Sequence, residues 1–160
     1  MDEQTRQGPA VDAEKVRGIL ASYGKDPEQL IQVLQDLTAS LNYLPHEALE
    51  IVSEELGVPI GRIYSIATFY KAFSLKPRGR TIVKVCLGTA CHVRGARLVM
   101  DEAERLLGIA AGETTADLSH TLEAVNCVGA CALAPVVIVN DEYNPGVKQS
   151  RVAKILKVKR

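Results

Sequence analysis

Apolar positions recur along this chain with two periods, and the change between them falls near residue 79. Before it the spacing is helical. Val16, Ile19 and Leu20 share one face of a helix that Asp12 can cap at Ala13, with Glu14 near its positive end and Gly24 closing it. Pro27 suits a first helical position after Asp26, and Leu30, Leu34, Leu37 and Leu41 then recur at four, three and four, the stripe of a buried helix. Asn42-Tyr43-Leu44-Pro45 interrupts it. A third helix is predicted from near His46, with Leu49, Val52 and Leu56 on one side, ending before Gly57. A fourth follows Pro59 through Ile60, Ile63, Ile66 and Ala67 to Phe69-Tyr70. Four short amphipathic helices with brief connections predict a helical bundle over residues 12–78. Residues 1–11, polar and broken by Gly8-Pro9, read as a flexible arm.

After Gly79 the period becomes that of strands. Ile82 to Val85 is a strand, β-branched at nearly every position, and a helix is expected from about Val93 to Leu107, with Val99, Ala103 and Leu106 inward and Gly108 as its stop. Its charged residues Arg94, Arg97, Asp101, Glu102, Glu104 and Arg105 are expected mostly outward. Residues 109–120 form a connection with a turn at Ala111-Gly112. Thr121 to Val125 and Val136 to Val139 are strands, Tyr143 to Val147 a short partner strand, and Gln149 to Lys157 a last helix packing through Val152, Ile155 and Leu156. The order βα, β, ββ, α predicts a small mixed α/β sandwich over residues 79–160, with helices on one or both faces.

Composition narrows the function. Lys plus Arg equals Asp plus Glu at nineteen each, so the chain carries no basic footprint for nucleic acid; the Lys154 to Arg160 concentration reads as a solvated helix face and tail. Apolar content of 47% is that of a folded chain. No run of eighteen apolar residues suggests membrane insertion, and the N-terminus lacks the order of a secretory signal. A soluble, cytoplasmic protein is the expectation, and structural disulfides are uncommon in that setting. No glycine-rich dinucleotide loop follows a strand, so neither NADH nor flavin is expected to bind this chain. No carboxylate pair or cysteine-histidine arrangement suggests a catalytic residue.

The chemistry lies in four cysteines placed in two tight pairs, Cys86 with Cys91 and Cys127 with Cys131. Each pair follows a strand and sits in a glycine-bearing turn, with Gly88 in the first and Gly129 in the second. The flanking Thr89, Ala90, Val128 and Ala130 are small enough for amide N–H groups to point at sulfur. The gaps are four and three residues, longer than the two usual for zinc. Cys-x-x-Cys is absent, and the four-then-two spacing of plant-type ferredoxins is only half present. Spacing therefore ranks a [2Fe-2S] cluster first. A [4Fe-4S] cluster, a zinc-stabilised interaction module, thiol-disulfide exchange and merely buried cysteines stay open behind it.

The segments Cys86 to His92, Leu107-Gly-Ile109, Gly112 to Thr115, Thr121-Leu-Glu123, Cys127 to Cys131, Ala134-Pro135 and Val139-Asn-Asp141 together resemble the thioredoxin-like [2Fe-2S] ferredoxin family. Tyr43-Leu-Pro45, Ala67 to Tyr70 and Pro77-Arg-Gly79 extend the resemblance over nearly the whole chain from about residue 12. It covers the small cluster subunit of the NADH-oxidising module of complex I and related subunits of NAD(P)-linked hydrogenases and formate dehydrogenases. It implies an α+β chain: an N-terminal helical bundle, then a thioredoxin-like α/β domain with a mixed sheet holding a [2Fe-2S] cluster on Cys86, Cys91, Cys127 and Cys131. It also implies a larger flavoprotein partner carrying FMN and the NAD(P)H site, and further iron-sulfur subunits; a homodimer of the isolated chain is compatible with it. The chain departs from the family at Asp117 to His120 and at Ala132, and neither departure removes a ligand.

Lesser candidates each have a plain structural reading beside a functional one. His92 adjoins Cys91 and could stand in for it, but reads more simply as a solvated residue at a helix start. His46 reads as structural, and His120 could border the cluster loop. Arg94 and Arg97 could favour reduction or meet an acidic partner, although an exposed helix face explains them as well. Phe69, Tyr70 and Phe73 suit either a partner anchor or core packing.

Overall fold

The structure, a computed structural model, describes residues 11–158. The N-terminal arm expected at residues 1–11 lies outside them except for Val11, which packs half-buried against the helical core. The chain divides into two compact units, the division falling between Arg78 and Gly79.

The first unit holds α1 (Ala13–Ser22), α2 (Leu30–Leu41), α3 (His46–Leu56) and α4 (Ile60–Phe69). Their ends are set by local chemistry. Asp12 Oδ1 accepts from the backbone N–H groups of Glu14 and Lys15 at 3.0 and 3.2 Å, two donors that the first helical turn leaves without partners. Asp26 caps a turn of 3-10 helix over Pro27–Gln29, so the second helix begins with a tightened turn before α2 proper. Asn42 and Gly57 close α2 and α3 in the left-handed conformation. Val16, Leu20, Val33, Leu34, Leu37, Leu49, Val52 and Ile63 are completely buried together. Each such side chain contributes about 1.5–3 kcal/mol of transfer free energy.

The second unit holds β1 (Thr81–Cys86), α5 (Thr89–Val93), α6 (Ala96–Leu107), β2 (His120–Val125), β3 (Val137–Val139), β4 (Glu142–Asn144) and α7 (Val152–Leu156). The sheet runs β2-β1-β3-β4, with β1 and β2 parallel and the other neighbours antiparallel. This is the mixed-sheet α/β arrangement that the resemblance implies. Val83, Val85, Leu122 and Val137 form one core with Val99, Met100 and Ala103 of α6 and with Val152 and Leu156 of α7. Among the described residues no helix is long and apolar enough to cross a membrane.

Three local expectations need correction. The helix expected from Val93 is two helices, because Gly95 takes φ +90°, a conformation open to glycine that stops α5 and restarts the chain as α6. Glu102, expected outward, is buried; Arg105 donates to its carboxylate at 2.7 and 3.0 Å, and that pairing makes the burial tolerable. The last strand is only Glu142–Asn144, after which Val147 turns into the core, and the last helix opens with a 3-10 turn over Gln149–Arg151.

Candidate functional site

Both cysteine pairs sit where parallel strands end side by side. Register pairs Thr81 with His120 at one end of β1 and β2, and Cys86 with Val125 at the other. The chain leaves β1 and β2 together, and Leu87 N–H donates to Val125 O at 2.8 Å, holding the two exits in line. From there the first loop turns at Gly88 into α5, which carries Cys91 on its buried side. The second loop passes through Cys127 and Gly129 into a 3-10 turn, Cys131–Leu133. Sequence-distant thiols thus reach one place through strand register, with Cys86 Sγ 3.3 Å from Asn126 O.

Gly88 is where the two loops touch. An ideal Cβ built on it would lie 3.1 Å from Cys127 Cα and 3.2 Å from Cys127 N and Cβ. A hydrogen is all that fits there comfortably. Gly129 answers a different need: its φ is +82°, and a Cβ would meet open space. Of the two glycines, the first permits close approach and the second supplies the left-handed turn. That turn aims the Gly129 N–H at Cys127 Sγ, 3.4 Å away, an amide-to-sulfur hydrogen bond of the kind expected from the small flanking residues.

All four cysteines are free; Cys86 and Cys91 are buried, while Cys127 and Cys131 are exposed. Cys127 Sγ and Cys131 Sγ stand 3.4 Å apart. Burial pushes the Cys91 thiol up, opposed by a Val136 backbone hydrogen bond, and the nearby Cys86 thiol adds to the rise. The Gly129 amide holds the Cys127 thiol below the ordinary thiol range, with Cys131 assisting. Cys131 is pushed up by its hydrogen bond to Cys127 and by that neighbour's charge. Four thiolates this close repel one another unless positive charge lies among them. Among the described residues no three such donors already surround one ion-sized point. A donor set in two pairs, one from each loop, fits a binuclear cluster taking four thiolates.

The other candidates separate clearly. His92 is exposed and contributes its backbone N–H to Gly88 O at 2.8 Å. His120 begins β2, roughly 16 Å of strand away from the cysteine end, and bonds Ser119 Oγ through Nδ1; it does not border the site. His46 bonds Tyr64 and pairs with Glu50 in the helical unit. Arg97 pairs with Asp101 along α6 at 3.0 Å, an ordinary exposed helix pair. Phe73 is in the helical core, whereas Phe69 is 80% exposed. The approach of Gly88 to Cys127 and the bond from Cys86 N–H to Val136 O at 3.1 Å leave no local sequence signal, since both depend on pairing between distant segments.

Comparison with known proteins finds a family and several relatives. The sequence profile of the thioredoxin-like [2Fe-2S] ferredoxin family matches residues 16–160. The chain is 36% identical over 127 residues to the NADP-reducing hydrogenase subunit HndA of Solidesulfovibrio fructosivorans, covering 79% of this chain and 74% of that protein. It is 41% identical over 125 residues to an NADH-quinone oxidoreductase subunit from Rickettsia conorii, covering 77% and 75%. A crystal structure of an NAD+-reducing [NiFe]-hydrogenase, air-oxidised, superposes with a TM-score of 0.67 at 22% identity. That match takes in 98% of this chain but only 24% of the hydrogenase chain, and it speaks to the fold.

Proposed function

The chain belongs to the thioredoxin-like [2Fe-2S] ferredoxin family, and from that premise we propose that it is the electron-transfer subunit of an NAD(P)H-linked oxidoreductase or hydrogenase complex, its [2Fe-2S] cluster held by Cys86, Cys91, Cys127 and Cys131. The observation that carries the reading is the meeting of the two cysteine loops at Gly88 and Cys127. Parallel register ends β1 and β2 together, and the contact lies between the loops that leave them, each with two free thiols, which supports the reading. The cluster supplies one-electron transfer at a potential set by hydrogen bonds to its sulfurs and by exposure.

The chain's own residues define the rest. Buried Cys86 and Cys91 anchor the inner side, and exposed Cys127 and Cys131 leave the outer side open to a redox partner. The Gly129 N–H favours thiolate at Cys127 and so favours ligation. Residues 79–160 serve as the cluster domain and residues 12–78 as a helical domain. Hydride chemistry belongs to a partner flavoprotein with FMN and the nicotinamide site, beside further iron-sulfur subunits.

The test is anaerobic mixing of the cluster-loaded chain with NADH or NADPH, with and without the co-purifying flavoprotein subunit. Bleaching of the cluster absorption only in the presence of the flavoprotein is the expected result. Equal bleaching by the nucleotide alone, or none with the flavoprotein present, contradicts the assignment.

A further inference from the structure

Residues 132–135, just after the fourth cysteine, are held from two sides. Gly146 N–H donates to Leu133 O at 2.8 Å and Val147 N–H to Pro135 O at 3.0 Å, so alternate carbonyls face the Gly146-Val147 segment. The intervening carbonyls are taken by one side chain: Arg94 Nη1 lies 3.3 Å from Ala132 O and 3.4 Å from Ala134 O. Arg94 follows Cys91 by three residues and closes α5. Its guanidinium therefore spans from the helix of the second cysteine to the backbone beside the fourth. Neighbouring Arg97 makes an i,i+4 pair on α6, so Arg94 stands apart from an ordinary helix-surface charge.

We propose that Arg94 is a positioning residue for the cluster, clamping the Cys131 turn to the Cys91 helix and setting a fixed positive charge beside it. The inference rests on the electron-transfer reading above. A guanidinium suits both tasks, because it keeps its charge and presents several N–H donors in a rigid plane. Arg94 is exposed, so its replacement leaves no cavity in the core. Reduction adds negative charge to the cluster, and a nearby cation favours that state.

The experiment compares the full chain with Arg94→Gln and Arg94→Lys. In metal-free, thiol-reduced protein, Arg94→Gln raises amide exchange of residues 133 and 134 by roughly fivefold, as expected for losing a charged donor at long hydrogen-bond distances. In cluster-loaded protein, Arg94→Gln lowers the reduced-to-oxidised ratio at fixed potential by roughly threefold, about 28 mV for a one-electron couple. Arg94→Lys, which keeps the charge, recovers most of that shift. Wild-type exchange or a wild-type potential in Arg94→Gln overturns the proposal, and so does a potential in Arg94→Lys no better than in Arg94→Gln. A wild-type chain that assembles no cluster overturns the electron-transfer reading and the charge role with it, while the exchange comparison still decides the clamp.

Discussion

Replacing Gly88 with alanine tests the close approach on which the site depends. The backbone at Gly88 has φ −57° and ψ 158°, which alanine adopts freely, so the substitution carries no conformational strain. Considered alone, it would stabilise the protein by about 0.4–1 kcal/mol by restricting the unfolded chain. The new Cβ, however, would stand 3.1 Å from Cys127 Cα, where carbon atoms ordinarily sit about 3.5–4.0 Å apart. The obstacle is backbone rather than the end of a flexible side chain, so the two loops must part by about 0.4 Å or more. Overpacking of this kind costs about 1–3 kcal/mol, leaving a net loss of up to about 2.6 kcal/mol. Urea titration followed by amide exchange in β1 and β2 reports this unit separately from the helices. Iron and sulfide content after reconstitution should fall in the same variant, because Cys127 is the residue displaced. Wild-type protection together with full cluster content in Gly88→Ala would refute the argument that the loops touch there.

Other outcomes follow from the same geometry. Gly129→Ala should also destabilise the second unit, by about 1–2 kcal/mol, but through backbone strain at φ +82°; mutating it to asparagine, which tolerates that region better, should recover part of the loss in the same titration. Gly79→Ala should cost about 3 kcal/mol, since its Cβ would fall 2.6–2.8 Å from the His120 backbone at the start of β2. Asp117 accepts from Thr115 Oγ1 at 2.6 Å and Ser119 N–H at 3.0 Å, and these bonds hold its carboxyl at about 2, below the ordinary 3.8. A carboxyl depressed by folding stabilises fully above its unfolded value and loses that contribution as pH falls through the folded one. The difference in Ser119 amide protection between wild type and Asp117→Asn should therefore be complete near pH 5 and shrink as pH falls through 3.8 toward about 2; a pH-independent difference would count against the bond.

How far the sequence announces this structure depends on whether a feature is local. The helical stripes of Leu30, Leu34 and Leu37 and the caps at Asp12 and Gly57 are local, and they form as their spacing and chemistry require. The cysteine pairs are legible for the same reason, since each lies in one short loop. The break at Gly95 is a local signal that a continuous charged-outward helix pattern masked. Glu102 looks like a surface residue until Arg105, three positions on, supplies the pairing that lets it be buried. The distance of His120 from the cysteines follows from parallel register, which no property of Thr121 to Val125 alone determines. Gly88 against Cys127 and Arg94 against Ala132 join segments about forty residues apart, so they become visible only once the strands are paired.

The most direct test of the central claim replaces each of Cys86, Cys91, Cys127 and Cys131 by serine in turn. Iron, acid-labile sulfide and electron paramagnetic resonance are then measured before and after anaerobic reduction. Two irons and two sulfides per wild-type chain are expected, with a spin-half signal on reduction that is lost or altered in all four variants. One zinc per chain with no sulfide and no reducible signal, or a signal indifferent to any one of the four cysteines, would contradict it.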